Sequence, residues 1–283
     1  MHLPDEAVAL IDAALAEDVG PGDFTTLWTV PADRRAEARI VAKAAGVIAG
    51  SDVAVEVFRR VDPSLQVAVA AGDGTAVEPG DVAMTIRGSA RSILTGERAA
   101  LNFMQRLSGV ATMARRYVRA VEGTGARIID TRKTTPGMRA LEKAAVVAGG
   151  GANHRFGLHD MVMIKDNHIA AAGGITAAVE AVRAANDRGL RVEVETTSLD
   201  EVREALRAGA DRIMFDNMTP ELMRQAVALV RAHSPRPETE ASGGITLDTI
   251  RACAETGVDF ISVGALTHSA PALDLSLQLR AAE

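Results

Sequence analysis

From Arg127 to Ala265 the chain repeats one pattern: a short apolar run, a charged or glycine-rich stop, then a helical stretch. The runs are RIIDT (127–131), MVMIKD (161–166), RVEVET (191–196), RIMFDN (212–217), TEASGG (239–244) and FISVGA (260–265). Between them, AAVEAVRAANDRG, SLDEVREALRAGA and TLDTIRACAETG carry apolar residues at helical spacing and end on glycine. Strands that alternate with helices in this way are joined by right-handed crossovers and build a parallel sheet. Six strands are too few to close an eight-fold barrel. The pattern predicts an α/β fold with an incomplete α/β barrel of six or seven strands, and an open doubly wound sheet is the second choice.

The preceding residues follow a different rule. DEAVALIDAALAE (5–17) reads as an amphipathic helix with Val8, Ile11 and Leu15 on one face. Short strands follow at 38–44, 47–50, 65–72 and 81–88, interrupted by a helix over 52–61, and a long helix starts near 92. The hairpin GDGTAVEPGDV is like that of a lipoyl or biotin carrier, but no lysine lies between Lys43 and Lys133 to carry the group. The carrier reading fails.

The chain has 283 residues and a net charge of -6, which argues against a general binder of nucleic acid or anionic membrane. The charge is unevenly placed. Between Arg98 and His168 stand twelve Arg or Lys and five acids, +7 in a protein that is -13 elsewhere. A basic middle in an acidic chain predicts a local site for a small, highly charged anion. No apolar run approaches the ~18 residues of a membrane helix. The N-terminus lacks a signal-peptide order and Cys253 is the single cysteine, so no intramolecular disulfide forms and the expected location is the cytoplasm.

In a parallel barrel, chemistry gathers at the C-terminal ends of the strands. Those ends carry Arg132 and Lys133, Lys165 and Asp166, Glu195, Asp216, Ser242-Gly243-Gly244, and Gly264. The planar fork of Arg132 suits a carboxylate and the point charge of Lys133 suits a phosphate, and Thr131 sets a hydroxyl beside them. His154 and Arg155 add to the cationic group. Alternation along MVMIKD puts Lys165 on the face of Met161 and Met163, away from Asp166. The glycine loops SGGI (242–245) and VGALTHS (263–269) suit a phosphate held by backbone N–H groups, with His268 and Ser269 as nearby donors. Glu195 and Asp216 suit Mg²⁺, which sits between a carboxylate or two and substrate phosphates. His154, His159 and His168 lack the spacing of a zinc centre, and Glu193 reads as a paired interior acid. Lys165 as a Schiff-base lysine of an aldolase is an alternative.

Taken together, EDVGPGDFTT (17–26), ERAALN (97–102), DTRKTTPGMR (130–139), GGGANHRFGLHDMVMIKDNH (149–168), VEVE (192–195), FDN (215–217), ASGGI (241–245) and VGALTHS (263–269) resemble the quinolinate phosphoribosyltransferases. The one departure is ETTSL (195–199), which touches no candidate ligand. The resemblance implies an N-terminal α/β sandwich domain (1–108, joined by the tail 269–283) and a barrel domain (109–268). It also implies a homodimer or a hexamer in which each site is completed by a partner, with Arg98 reaching across. Arg132, His154, Arg155 and Lys165 would then hold quinolinate beside Thr131. Lys133 would serve the pyrophosphate of phosphoribosyl pyrophosphate, and Glu195 and Asp216 its ribose and Mg²⁺. Ser242, Gly243, Gly244, Val263, Gly264, Ala265 and His268 would line the 5′-phosphate. The implied reaction yields nicotinate mononucleotide, pyrophosphate and CO₂ for NAD synthesis, with Lys165 the candidate proton donor. A molybdenum-associated paralogue is expected to lack the intact NHR (153–155) and IKDNH (164–168) found here, and a nicotinate-using transferase would need fewer cations.

Overall fold

A computed structural model describes residues 3–281. The chain forms two compact units. The first comprises the N-terminal part through Arg115, Thr134–Gly150 and the C-terminal part from Leu266; the second comprises Arg116–Lys133 and Gly151–Ala265.

The first unit runs α1 (Asp5–Val19), α2 (Phe24–Thr29), β1 (Arg35–Ala42), β2 (Gly46–Val47), α3 (Ser51–Val61), β3 (Gln66–Val69), β4 (Ala76–Val77) and β5 (Val82–Ser89). The long helix α4 (Ala90–Ala120) follows and continues into the second unit. Helix α2 is too short for periodicity to reveal it; Asp23 caps it by accepting from the Thr26 N–H at 3.0 Å. Helix α3 has no capping side chain of its own. Asp73 supplies one from across a loop, accepting from the backbone N–H groups of Gly50 and Ser51 at 3.0 and 2.9 Å.

The second unit is the predicted barrel portion. Its strands are β6 (Arg127–Ile129), β7 (Val162–Ile164), β8 (Val192–Thr196), β9 (Arg212–Asp216), β10 (Glu238–Ser242) and β11 (Phe260–Ser262). They form one six-stranded sheet in the order β6-β11-β10-β9-β8-β7, and the strand pairs are parallel. Six strands leave the barrel open between β6 and β7. Helices α6 (Asp166–Ala172), α7 (Ile175–Ala185), α8 (Leu199–Ala208), α9 (Pro220–Arg231) and α10 (Ile250–Ala254) connect the strands. Helix α5 (Arg139–Ala148), between β6 and β7 in sequence, belongs to the first unit. There its buried Glu142 accepts from Arg106 at 2.7 Å and from the Thr135 N–H at 3.0 Å. Local signals set the helix ends: Ser198 and Thr219 cap α8 and α9, and α8 stops at Gly209 with φ 79°. Val192, Val194, Ile213 and Phe215 are fully buried on one face of β8 and β9. The alternating residues on the other face are charged except for Met214: Glu193, Glu195, Arg212 and Asp216.

After β11 the chain turns through α11 (Ala265–His268) and returns to the first unit as β12 (Leu275–Ala281). This strand completes an antiparallel sheet in the order β12-β1-β5-β3. The tail is docked on α4: the Leu273 N–H donates to the Gln105 carbonyl at 2.9 Å, and Gln105 Nε2 donates to the Leu275 carbonyl at 2.7 Å. Among the described residues no helix is long and apolar enough to cross a membrane.

Gly109 marks the closest approach of tail and helix, because a Cβ there would overlap the carbonyl oxygen of Pro271. Alanine in a helix interior ordinarily gains roughly 0.5–1 kcal/mol over glycine. Overlap with a backbone atom costs more, about 1–3 kcal/mol. Gly109→Ala is therefore expected to lower stability in urea denaturation. A variant as stable as the parent or more so would show that the tail is not seated on α4.

Candidate active site

The strand registers decide which side chains meet. Glu193 pairs with Met163 and Arg212, Glu195 with Met214, Met214 with Glu240, Asp216 with Ser242, and Glu240 with Phe260. Residues paired across parallel strands share a face, and so do residues two apart on one strand. One face therefore gathers Glu193, Glu195, Arg212, Asp216, Glu238, Glu240 and Ser242. A parallel barrel ordinarily fills its interior with branched apolar side chains. This one carries ions.

The lower part of that face is sealed. His154 Nε2 lies 3.0 Å from Glu193 and 3.3 Å from Glu240, and both acids are fully buried. Arg212 reaches Glu240 at 3.1 Å and Glu238 at 2.9 Å, and its guanidinium lies over the ring of Phe260 at 4.3 Å from the centroid. Burial alone would push the His154 imidazole down; contact with Glu193 and Glu240 outweighs it and raises the pKa to about 9. Burial, reinforced by Glu240, raises Glu193 to about 7. Burial also pushes Glu240 up, but His154 and Arg212 outweigh it and hold Glu240 below the ordinary carboxylate value.

His154, Glu193 and Glu240 offer three ligand atoms within 4.8 Å of one another, the spacing of a potential metal site. With Arg212 against Glu240, the same group is an ion-paired floor.

His154 also closes the open side of the barrel. Ala152 bridges to Ile129 at the β6 edge, the His154 N–H donates to the buried Asp130 carboxylate at 2.8 Å, and Arg155 donates to the Met161 carbonyl at 3.1 Å just before β7. Asp160 fixes the loop between by accepting from the N–H groups of Phe156 and Gly157 at 2.6 and 2.9 Å. The segment 152–161 thus fills the gap that the missing strands leave.

Above the floor stand the candidates at the strand ends. Lys165 is half-exposed and its Nζ lies 2.7 Å from Glu195 Oε2, so the face expected from MVMIKD is the one observed. Burial and then the neighbouring Arg132 hold the Arg155 guanidinium below its usual pKa. Lys133 is exposed, and its N–H donates to Thr131 Oγ1 at 3.0 Å. Asp216 accepts from Asn217 Nδ2 at 2.7 Å. Ser242 is followed by Gly243 and Gly244 at φ 92° and 60°, a left-handed pair of the kind that turns successive N–H groups inward. Val263 donates its N–H to the Ile129 carbonyl at 3.0 Å, and Gly264 and Ala265 lead out of β11.

Two further candidates belong to the first unit. Arg98 is exposed on the part of α4 in the first unit, and His268 is exposed in the same unit, 2.6 Å from Ser269 Oγ. His168 caps α6, its Nδ1 accepting from the Lys165 N–H at 3.0 Å. Part of the basic middle is also structural: Arg106 is committed to Glu142, Arg115 donates to the Gly149 carbonyl at 2.8 Å, and Arg127 lies over Phe260. The sequence reading missed Arg212, Glu240 and Asn217. Period-two charges within RIMFDN and TEASGG, in strands buried on both faces, were the available signal.

The raised imidazole has a pH signature. Because the folded pKa of His154 exceeds the unfolded value, its stabilising contribution is complete below about pH 6.5 and is lost as pH rises through about 9. Chemical denaturation across that range is expected to show falling stability, with a shallower slope in His154→Gln. An unchanged slope in the variant would remove His154 from the account.

The chain matches the family profile for quinolinate phosphoribosyl transferase, N-terminal domain over residues 23–108 and C-terminal domain over residues 110–278. It is 50% identical over 265 residues to the probable nicotinate-nucleotide pyrophosphorylase (carboxylating) of Synechocystis, covering 94% of this chain and 90% of that protein. The Bacillus subtilis protein of the same description is 46% identical over 270 residues, covering 95% and 92%. Among solved structures, NadC from Streptococcus pyogenes has a TM-score of 0.95 at 42% identity, covering 100% of this chain and 99% of its own. Human nicotinic acid phosphoribosyltransferase shares the fold alone, with a TM-score of 0.64 at 14% identity, covering 100% and 74%. Matched in both of its domains and by close relatives over nearly its whole length, this chain belongs to the quinolinate phosphoribosyltransferase family.

Proposed function

We propose that the chain couples quinolinate to phosphoribosyl pyrophosphate, releasing pyrophosphate and CO₂ and leaving nicotinate mononucleotide, and that its strand ends divide this work. The observation that carries the reading is the cationic rim: Arg155 with Arg132 as its neighbour, and Lys165 held by Glu195 on the next strand. Quinolinate brings two carboxylates and its partner a phosphate and a diphosphate. Unpaired burial of so much negative charge would be prohibitive. A substrate with one carboxylate leaves part of this rim unmatched, which disfavours nicotinate as the acceptor.

Arg132, Arg155 and Lys165 hold the two carboxylates so that the ring nitrogen faces C1 of the ribose. His154 contributes from below: its Nε2 is committed to Glu193 and Glu240 and its backbone N–H to Asp130, which sets the segment that presents Arg155. The nitrogen–C1 bond forms as the C1–oxygen bond to pyrophosphate breaks, with oxocarbenium character at C1. Lys133 stabilises the leaving diphosphate, and the carboxylates of Glu195 and Asp216 favour the positive charge on the ribose. Those two acids, oxygen donors on one face of adjacent strand ends, fit Mg²⁺, which when bound neutralises diphosphate charge. The N–H groups of the turn Ser242-Gly243-Gly244 and of Val263-Gly264-Ala265 hold the 5′-phosphate, with His268 as a further donor. Once the nitrogen is quaternary, the bond to the 2-carboxylate breaks, its electrons stay on C2 beside the positive nitrogen, CO₂ leaves, and Lys165 supplies the proton to C2.

The assembly belongs to the same proposal: a homodimer or a hexamer, each site completed by Arg98 of a second copy. Operation in the cytoplasm is also proposed, although the rice and Arabidopsis relatives are named chloroplastic. Nucleic acid and membrane have no part in it, in keeping with the acidic net charge.

Purified protein given Mg²⁺, phosphoribosyl pyrophosphate and quinolinate is expected to form nicotinate mononucleotide and CO₂ in equal amounts, and none from nicotinate. Folded protein that leaves quinolinate untouched would return the assignment to a paralogue with a phosphate site and another acceptor. Lys165→Ala is expected to lower kcat by roughly 100-fold or more. Mixing Arg98→Ala with Lys165→Ala subunits is expected to restore activity, since some mixed sites contain both groups. No recovery despite demonstrated subunit exchange would place Arg98 outside the partner's site.

A further inference from the structure

Among the described residues one non-glycine adopts the left-handed backbone conformation, Asn217 at φ 52°. It stands directly after β9, and its N–H donates to the Ser242 carbonyl at 3.0 Å, carrying the β9–β10 ladder one step past the strand end. An extended backbone would send its side chain to the face opposite Asp216. The left-handed turn folds it back instead. Asparagine tolerates this conformation better than most residues because its short polar side chain bonds locally.

The amide then has two neighbours. Nδ2 donates to Asp216 Oδ2 at 2.7 Å, an orientation fixed by chemistry because a carboxylate only accepts. Oδ1 packs against Gly243 so closely that a Cβ at that position would overlap it. Gly243 is thus required twice, by its own φ of 92° and by the amide lying against it. One side chain ties the carboxylate at the end of β9 to the glycine turn at the end of β10.

We propose that Asn217 is a positioning residue for the phosphoribosyl pyrophosphate site, its amide holding the Asp216 carboxylate in register with the Gly243–Gly244 turn. The inference rests on the reading of Asp216 and residues 242–244 given above. With Oδ2 committed to Asn217, Oδ1 of Asp216 is the oxygen presented to the ribose, while the same amide wedges the phosphate turn at a fixed distance. Ribose and 5′-phosphate are joined by only a few bonds, so a fixed spacing between their two holders favours binding both at once.

Asn217→Gly keeps the backbone conformation and deletes the amide. By calorimetry without quinolinate, its affinity for phosphoribosyl pyrophosphate is expected to fall roughly tenfold, the effect of one lost hydrogen bond to a charged group. Quinolinate affinity and the melting midpoint should stay near those of the parent, and kcat/KM for phosphoribosyl pyrophosphate should fall in step with affinity. Asn217→Asp keeps the turn but sets a second carboxylate beside Asp216, so a larger loss is expected. Asp216→Ala, run alongside, separates the two ideas. If it turns over like the parent, the underlying assignment of Asp216 is wrong. If it is inactive while Asn217→Gly binds phosphoribosyl pyrophosphate normally, the positioning role is overturned. Equal loss of both substrates with a lowered melting midpoint in Asn217→Gly would also overturn it, since that is the mark of a purely structural residue.

Discussion

Glu193 and Glu240, enclosed with His154 and Arg212, set the terms for the barrel. Each of these side chains would be costly to bury alone, and loss of one partner from such a group typically costs about 3–5 kcal/mol. Their mutual compensation lets the strands point charge inward while Val192, Val194, Ile213 and Phe215 supply the apolar burial on the other face. An imidazole between two buried acids is favoured in its protonated form, because their contact outweighs the burial that would discharge it. His154 also pins the segment 152–161 across the open side of the sheet, since it reaches Glu193 and Glu240 while Ala152 bridges to the β6 edge. The ion-paired floor and the closure of the six-stranded barrel are one device.

The rim follows from that floor. Arg155 is the next residue after His154, and its donation to the Met161 carbonyl spans the loop that Asp160 fixes. Lys165 rises from the end of β7 on the same face as Glu193 and Glu195. The floor settles its charges internally, whereas the rim gathers Arg132, Arg155 and Lys165 near the strand ends, cations suited to an anionic ligand. Alternation along the strands stacks the two layers: Glu193 below Glu195, Glu240 below Ser242, Arg212 two residues before Met214 and four before Asp216.

Much of this was written locally in the chain. The strand–helix alternation gave the parallel sheet, Ser198, Thr219 and Gly209 marked helix ends, and the strand-end residues Arg132, Lys165, Glu195, Asp216 and Ser242 could be named from periodicity alone. Less legible were short elements such as α2, and α5, which follows the Pro136–Gly137 turn and whose Glu142 bonds to Arg106, thirty-six residues away in sequence. The basic middle was an over-reading in part. Arg106 and Arg115 serve carbonyl and carboxylate groups within the first unit, and sequence charge does not separate a cation that braces a helix from one that waits for a ligand.

By itself the sequence determined the class of fold, the order of its elements and the inventory of charged residues at the strand ends, because periods of 2 and 3.6 and the turn chemistry of glycine and proline are properties of neighbouring residues. Only the tertiary structure decided that His154 lies beneath the site between two acids, that Arg212 balances them, and that Asn217 turns back onto Asp216. Those outcomes depend on strand register and on the curvature of the sheet. Both are set by contacts between residues tens of positions apart, where the desolvation of one charge is offset by another that no local pattern identifies as its partner.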